Sequence, residues 1–152
     1  MNMQTNHYSR LLVMIALHFI AMYILMYSMV NVFNNVFNNF NLVYMGALMT
    51  SSMILIKLPL MNSKYKSKRL NAIIIAAGMI LLIGSFMAIR RQAVIYDRQF
   101  LRSMIPHHAG AILMCQQASI EDREIKELCK AIVSSQQREI DQMKTKLNAL
   151  NK

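Results

Sequence analysis

Three stretches of about twenty apolar residues, nearly free of charge, fill most of the first ninety or so positions and restrict the fold of this chain more than any other feature. Residues 11–30 hold no charged side chain, and His18 and Ser28 are the strongly polar interruptions. Residues 42–60 follow, with Lys57 near the end able to snorkel and Pro59 closing the stretch. Residues 70–89 form the third, where Gly78 and Gly84 offer points of close helix approach without making a GxxxG pair. At 1.5 Å per residue, about twenty residues cross the hydrocarbon core of a bilayer. The spacing predicts three transmembrane helices at about 11–30, 42–60 and 70–89. The first is too long and too rich in methionine for a signal-peptide core, and no small-x-small cleavage site follows it, so it is expected to be retained.

The loops orient these helices. "NVFNNVFNNFN" (31–41) is uncharged, whereas "KLPLMNSKYKSKRL" (57–70) carries Lys57, Lys64, Lys66, Lys68 and Arg69. The positive-inside rule makes the second loop and the N-terminus cytoplasmic and places everything after residue 89 outside, although Arg90, Arg91, Arg98 and Arg102 run against it. The formal charge is +10, from 17 Lys and Arg against 7 Asp and Glu. Because the basic residues flank apolar blocks, this charge points to the lipid bilayer as anionic partner and not to nucleic acid. Phe33, Phe37 and Phe40 recur at helical spacing and suit an interfacial turn, but the segment reads more simply as an uncharged connector.

From residue 92 charges appear and apolar residues take a helical period. One stripe runs Ala93, Tyr96, Phe100, Ile105, Ile112, Cys115 and Ala118; the next runs Ile125, Leu128, Ile132, Ile140, Met143, Leu147 and Leu150. Two amphipathic helices, about 92–118 and 122–150, are expected, with Ser119 or Asp122 as the N-cap of the second. A short connection makes them an antiparallel hairpin. The chain thus divides into a membrane domain, 1–91, and an extracytoplasmic hairpin domain, 92–152. The fold class is all-α. A lone hairpin leaves its apolar face half covered, so it is expected to form a homodimer or higher homo-oligomer completing a four-helix bundle, in preference to lying down on the membrane.

"MIPHHAGAILM" (104–114) is the chemically richest segment. On a helix Met104, His107, His108, Ala111, Met114 and Cys115 fall within an arc of ~120° at ~100° per residue. Pro106 sits as a first-turn residue or a kink. Imidazole, thioether and thiol together suit a soft ion such as Cu(I), while the same stripe also reads as ordinary core. In the first span Met14, His18, Met22, Met26 and Met29 form a second stripe, echoed by Met45, Met49 and Met53, which would suit Cu(I) passage by ligand exchange in an oligomer. No nucleophile or acid partner accompanies His107, so no enzymatic activity is expected.

The C-terminal pattern M-I-P-H-H, with Ala111 and Ile112 just after it, then Ile132, Gln136, Glu139, Ile140 and Met143, resembles the bacterial family known as domain of unknown function 305 (DUF305). That family includes copper-resistance proteins of the CopM type, and the three spans in front resemble its membrane-anchored subgroup. The resemblance covers about sixty residues. It implies a ferritin-like helical domain facing the periplasm of a bacterial inner membrane, copper binding for metal tolerance, and exchange with other copper-handling proteins. Relatives often carry two hairpins in tandem; a single one here favours dimerisation.

A turn centred near residue 120 sets the two helices level where paired residue numbers sum to roughly 240. Met104, His107, His108 and Met114 are then the leading ligands, with Cys115, His18 and Met22 behind them. Gln136 and Glu139 are read as groups that orient the imidazoles. On this register Met143 lies ~15 Å from His107 along the axis, so it joins the site only from a partner chain or across a different packing. Cys115 and Cys129 are offset on the order of 10 Å, and no intrachain bridge is expected. The expected function is membrane-anchored sequestration or delivery of Cu(I); the alternatives are an oligomeric Cu(I) translocation protein or a structural membrane protein without metal.

Overall fold

The computed structural model describes residues 3–61 and 63–150, with side chains from His7 onward. The described residues form five α-helices and no strand: α1 (Met3–Leu25), α2 (Phe40–Leu60), α3 (Lys68–Arg91), α4 (Asp97–Gln117) and α5 (Arg123–Ala149). Three segments, His7–Met29, Phe40–Leu60 and Lys68–Arg91, are long and apolar enough to cross a membrane. The all-α expectation and the three spans therefore stand.

The chain folds as two compact units. One comprises α1, α2 and α3; the other joins residues 26–40 to α4 and α5, so the chain enters the second unit twice. In the first unit large apolar side chains such as Leu17, Ile20, Ile73, Ile80 and Ile83 are exposed around the helices, the pattern of segments whose solvent is lipid. Its buried cluster is Leu11, Leu58 and Tyr65. Tyr65 belongs to the basic connector and pins it: its ring lies 5.3 Å from that of Tyr8. Tyr8 Oη donates to Asn71 Oδ1 at 2.8 Å, and Asn71 Nδ2 donates to the Tyr65 carbonyl at 2.7 Å. Ser67 caps α3 by accepting from the Leu70 N–H at 3.3 Å. A Cβ at Gly78 would come within 3.2 Å of Leu55, so this glycine does permit close approach; Gly84 faces open space.

In the second unit α4 and α5 pack antiparallel over Ile105, Ala109, Ile112, Ile140 and Leu147. Residues 26–40 are more than a connector. They form 3-10 turns at Met26–Met29 and Phe33–Asn35, and Val30 and Phe37 pack on the hairpin core. Gly110 faces this segment, where a Cβ would stand in contact with the Met29 carbonyl oxygen at 3.4 Å. The three phenylalanines are unequally covered: Phe33 is 87% exposed and Phe40 40%, while Phe37 is half-buried.

The first hairpin helix begins at Asp97, not at 92. Gln92 (φ 48°) caps α3 in the left-handed region, and Val94 (φ 59°) adopts the same region, a strained conformation for a β-branched residue. Asp122 is the N-cap of α5, its carboxylate accepting from the Ile125 N–H at 2.9 Å.

Candidate metal site

Pro106 lies inside α4, where its ring removes the N–H that would bond the carbonyl of Arg102. The freed carbonyl is met from outside the helix. Asn39, only 4% exposed, donates from Nδ2 to the Arg102 oxygen at 3.4 Å and to the Phe37 oxygen at 3.0 Å. One asparagine of the uncharged loop thereby repairs the proline break directly before His107 and His108.

His108 is the buried member of the pair, 7% exposed. Its Nδ1 lies 2.9 Å from the Met104 carbonyl oxygen, one turn back, and its Nε2 lies 2.7 Å from Glu139 Oε2 on α5. Ser135 Oγ donates to the other Glu139 oxygen at 2.7 Å. The Glu139 carboxyl is held below its ordinary value, first by the Ser135 hydroxyl, then by the hydrogen bond and charge of His108, with Arg138 adding to it; partial burial opposes them. Both imidazole nitrogens face oxygen atoms, a backbone carbonyl and a carboxylate. Neither nitrogen has a free lone pair aimed at a ligand unless one of these contacts opens.

The helical arc read from the sequence splits in three dimensions. His108 turns into the α4–α5 seam, Met104 is half-buried, and His107 and Met114 are exposed, Met114 at 55%. The ring centroids of His107 and His108 are 6.0 Å apart. Cys115 is half-buried and bridged to Cys129, with Cα atoms 5.2 Å apart. The expectation of no intrachain disulfide is therefore corrected. Its error lay in the turn. Ala118 and Asp122 are extended, and an extended residue advances about 3.3 Å against 1.5 Å in a helix, so α5 starts about one turn beyond the end of α4.

The same shift moves Met143. With His108 level with Glu139, four residues farther from the turn on each helix bring Met104 level with Met143. Met143 packs against the cluster containing Ile105 and Ala109. Met143 is therefore not ~15 Å away along the axis, and this different register of the hairpin brings it level with the site within one chain. Gln136 Oε1 is buried and has no hydrogen-bond partner, an acceptor left over beside the seam. Among the described residues no group of three or more His, Cys, Asp or Glu side chains is placed to hold an ion.

His18 and Met22 lie in the other unit, half-buried on α1, where Met14 Sδ meets Lys57 Nζ. Met45 and Met49 of α2 are exposed. The sequence reading passed over Ser135 and Asn39. Both left a trace: Ser135 stands one helical turn before Glu139, and an asparagine-rich segment accompanies a helix-interior proline that needs an outside donor.

Comparison with known proteins bears on this hairpin. The family described as "Domain of unknown function (DUF305)" matches residues 84–147. The chain is also similar to "Uncharacterized protein L153" of Acanthamoeba polyphaga mimivirus, 38% identical over 110 residues that cover 71% of this chain and 70% of that protein. The chain belongs to the DUF305 family. No solved structure matches it. The DUF305 match takes in all of α4, the disulfide and the His108–Glu139 pair, and it stops short of residues 26–40 that complete the unit. The similar protein is viral, so family membership brings no bacterial host with it.

Proposed function

We propose that the protein is a membrane-anchored copper-binding protein that sequesters or hands on Cu(I) through the thioether and imidazole groups of its hairpin, contributing to metal tolerance. The observation that carries this reading is the level placement of Met104, His107 and His108 on α4 with Glu139 and Met143 on α5. Soft neutral donors suit Cu(I), and a carboxylate that holds one imidazole nitrogen is the usual outer partner of a metal-binding histidine. With Glu139 retaining Nε2–H, opening the contact between Nδ1 and the Met104 carbonyl frees the other nitrogen. Met104, His107, His108 and Met143 would hold the ion; Met114 is too exposed to be more than an entry ligand, and Cys115 is engaged in the bridge. Gln136 supplies a spare acceptor for a bound water.

The hairpin is proposed to lie on the extracytoplasmic side. Residues 26–40 follow the first span and α4 follows the third, so an even number of crossings separates them, as their packing in one unit requires. The basic connector falls on the opposite, cytoplasmic side, and a bridged cysteine pair suits an oxidising compartment. The exposed apolar residues Phe100 and Met114 of α4, with Tyr96 at its N-cap, support a homodimer.

The test uses the full chain in detergent, with Cu(I) affinity measured by competition against a chromophoric Cu(I) chelator. The His107→Ala, His108→Ala double variant should bind at least about tenfold more weakly, a difference of about 1.4 kcal/mol. Equal affinity in the two proteins overturns the reading. A phosphatase fused to the C-terminus should be active; an inactive fusion reverses the topology.

A further inference from the structure

We infer that Cys115 and Cys129 form a second, redox-gated site for a soft metal ion: bridged they bind nothing, and reduced they hold one Cu(I) between two thiolates. Their side chains are separate from Met104, His107 and His108, so this site stands or falls apart from the reading above.

Three observations carry it. The Cα atoms are 5.2 Å apart, with the pair facing across the hairpin near its turn. Both cysteines are half-buried and line an open groove of about 490 Å³ with Lys126, Lys130 and Ser134. The bridge is therefore reachable. The apolar core of the hairpin, Ile105, Ala109, Ile112, Ile140 and Leu147, lies on the side of the bridge away from the turn and holds α4 to α5 without it.

The chemistry fits. Metal–thiolate bonds of ~2.3 Å on a two-coordinate ion need sulfurs at most ~4.6 Å apart, against ~2.0 Å in a disulfide. Rotation of two side chains that are only half-covered supplies the difference. Thiolate pairs are among the ligands that select Cu(I). A bis-thiolate Cu(I) unit carries one negative charge, and Lys126 and Lys130 line the same groove to offset it, although Lys130 also pairs with Glu127 at 2.8 Å. Gating needs a dithiol reductant. Its two sulfurs are oxidised to a disulfide, the Cys115–Cys129 bond breaks, and the two cysteines take up two electrons and two protons. Cu(I) capture then releases those two protons and forms two Cu–S bonds.

The experiment titrates Cu(I) alone into the full chain in detergent, without oxygen, before and after reduction by a dithiol that is then removed. A chromophoric Cu(I) chelator reports stoichiometry, and near-ultraviolet absorption reports thiolate-to-copper charge transfer. Reduced wild type should bind one more equivalent than oxidised wild type and gain the absorption. The Cys115→Ser, Cys129→Ser variant, its helicity checked by circular dichroism, should do neither. The His107→Ala, His108→Ala variant should keep the reduction-dependent equivalent whatever becomes of the other site. Equal stoichiometry before and after reduction overturns the inference, as does an extra equivalent that persists in the double serine variant.

Discussion

The α1–α3 unit and the hairpin unit spend their apolar residues in opposite ways. The spans expose large apolar side chains around their surfaces and bury, beside Leu11, Ile54 and Leu58, small polar groups such as Thr50, Ser51 and Ser85. The hairpin confines its fully buried apolar residues to one seam and leaves the rest of α5 mostly charged and polar, with Ile125 and Leu128 exposed near its start. Lipid on the outside makes an apolar surface cost-free, so length and a few polar ties at the helix ends specify the first unit. Water outside the second demands a seam, and its polar groups are met there by named partners: Asn39 for the proline break, Asp122 for the start of α5, Glu139 for His108.

The contrast can be tested first at the seam. Ile105→Ala or Ile140→Ala, both fully buried, should each cost about 2–5 kcal/mol in denaturant unfolding of the detergent-solubilised protein. Ile80→Ala, on a residue 74% exposed on α3, should stay within about 0.5 kcal/mol. Equal losses at the two places would break the comparison. Next comes the repair of the proline break. Asn39→Ala strands a carbonyl and should cost about 1–3 kcal/mol, and adding Pro106→Ala should recover part of that by restoring the missing N–H. Additive losses in this double-mutant cycle would mean that Asn39 does not serve the Arg102 carbonyl.

A smaller effect is expected at the α5 cap, where Asp122→Ala should cost about 1 kcal/mol in the same unfolding measurement. The smallest belongs to Glu139→Gln, because the Glu139 side chain is 46% exposed. The folded carboxyl lies below its ordinary value of 4.5, so its stabilisation is complete above that value and fades as the pH falls through the lowered one. The melting temperature of the variant should trail wild type at neutral pH, with the gap closing as acid protonates Glu139. A gap that holds constant across that range would remove the carboxylate from the account.

Elements with a long period were legible in the sequence: three apolar runs became α1, α2 and α3, and the two stripes became α4 and α5. Register was not, because it depends on how the few residues between the helices spend their length. Extended Ala118 and Asp122 shifted the hairpin by about a turn, which joined Cys115 to Cys129 and brought Met143 level with Met104. The helix break at 92–96 also left no mark, since Val94 takes the left-handed region without glycine or proline to announce it. Within the candidate site, His107 and His108 could be named from spacing alone. Their unequal roles, one held by Glu139 and one exposed, required the second helix to be placed beside the first.

The double entry of the chain into the hairpin unit has a consequence for biosynthesis. Residues 26–40 leave the ribosome before α2 and α3, yet the surface they pack on is made afterwards, when α4 appears. Val30 and Phe37 must therefore wait for the hairpin core they pack on, and Asn39 for the Arg102 carbonyl, until α2 and α3 have been made. Translation order and folding order run opposite here, and a stall between α3 and α4 would leave that segment as the part of the nascent chain most open to proteases and chaperones.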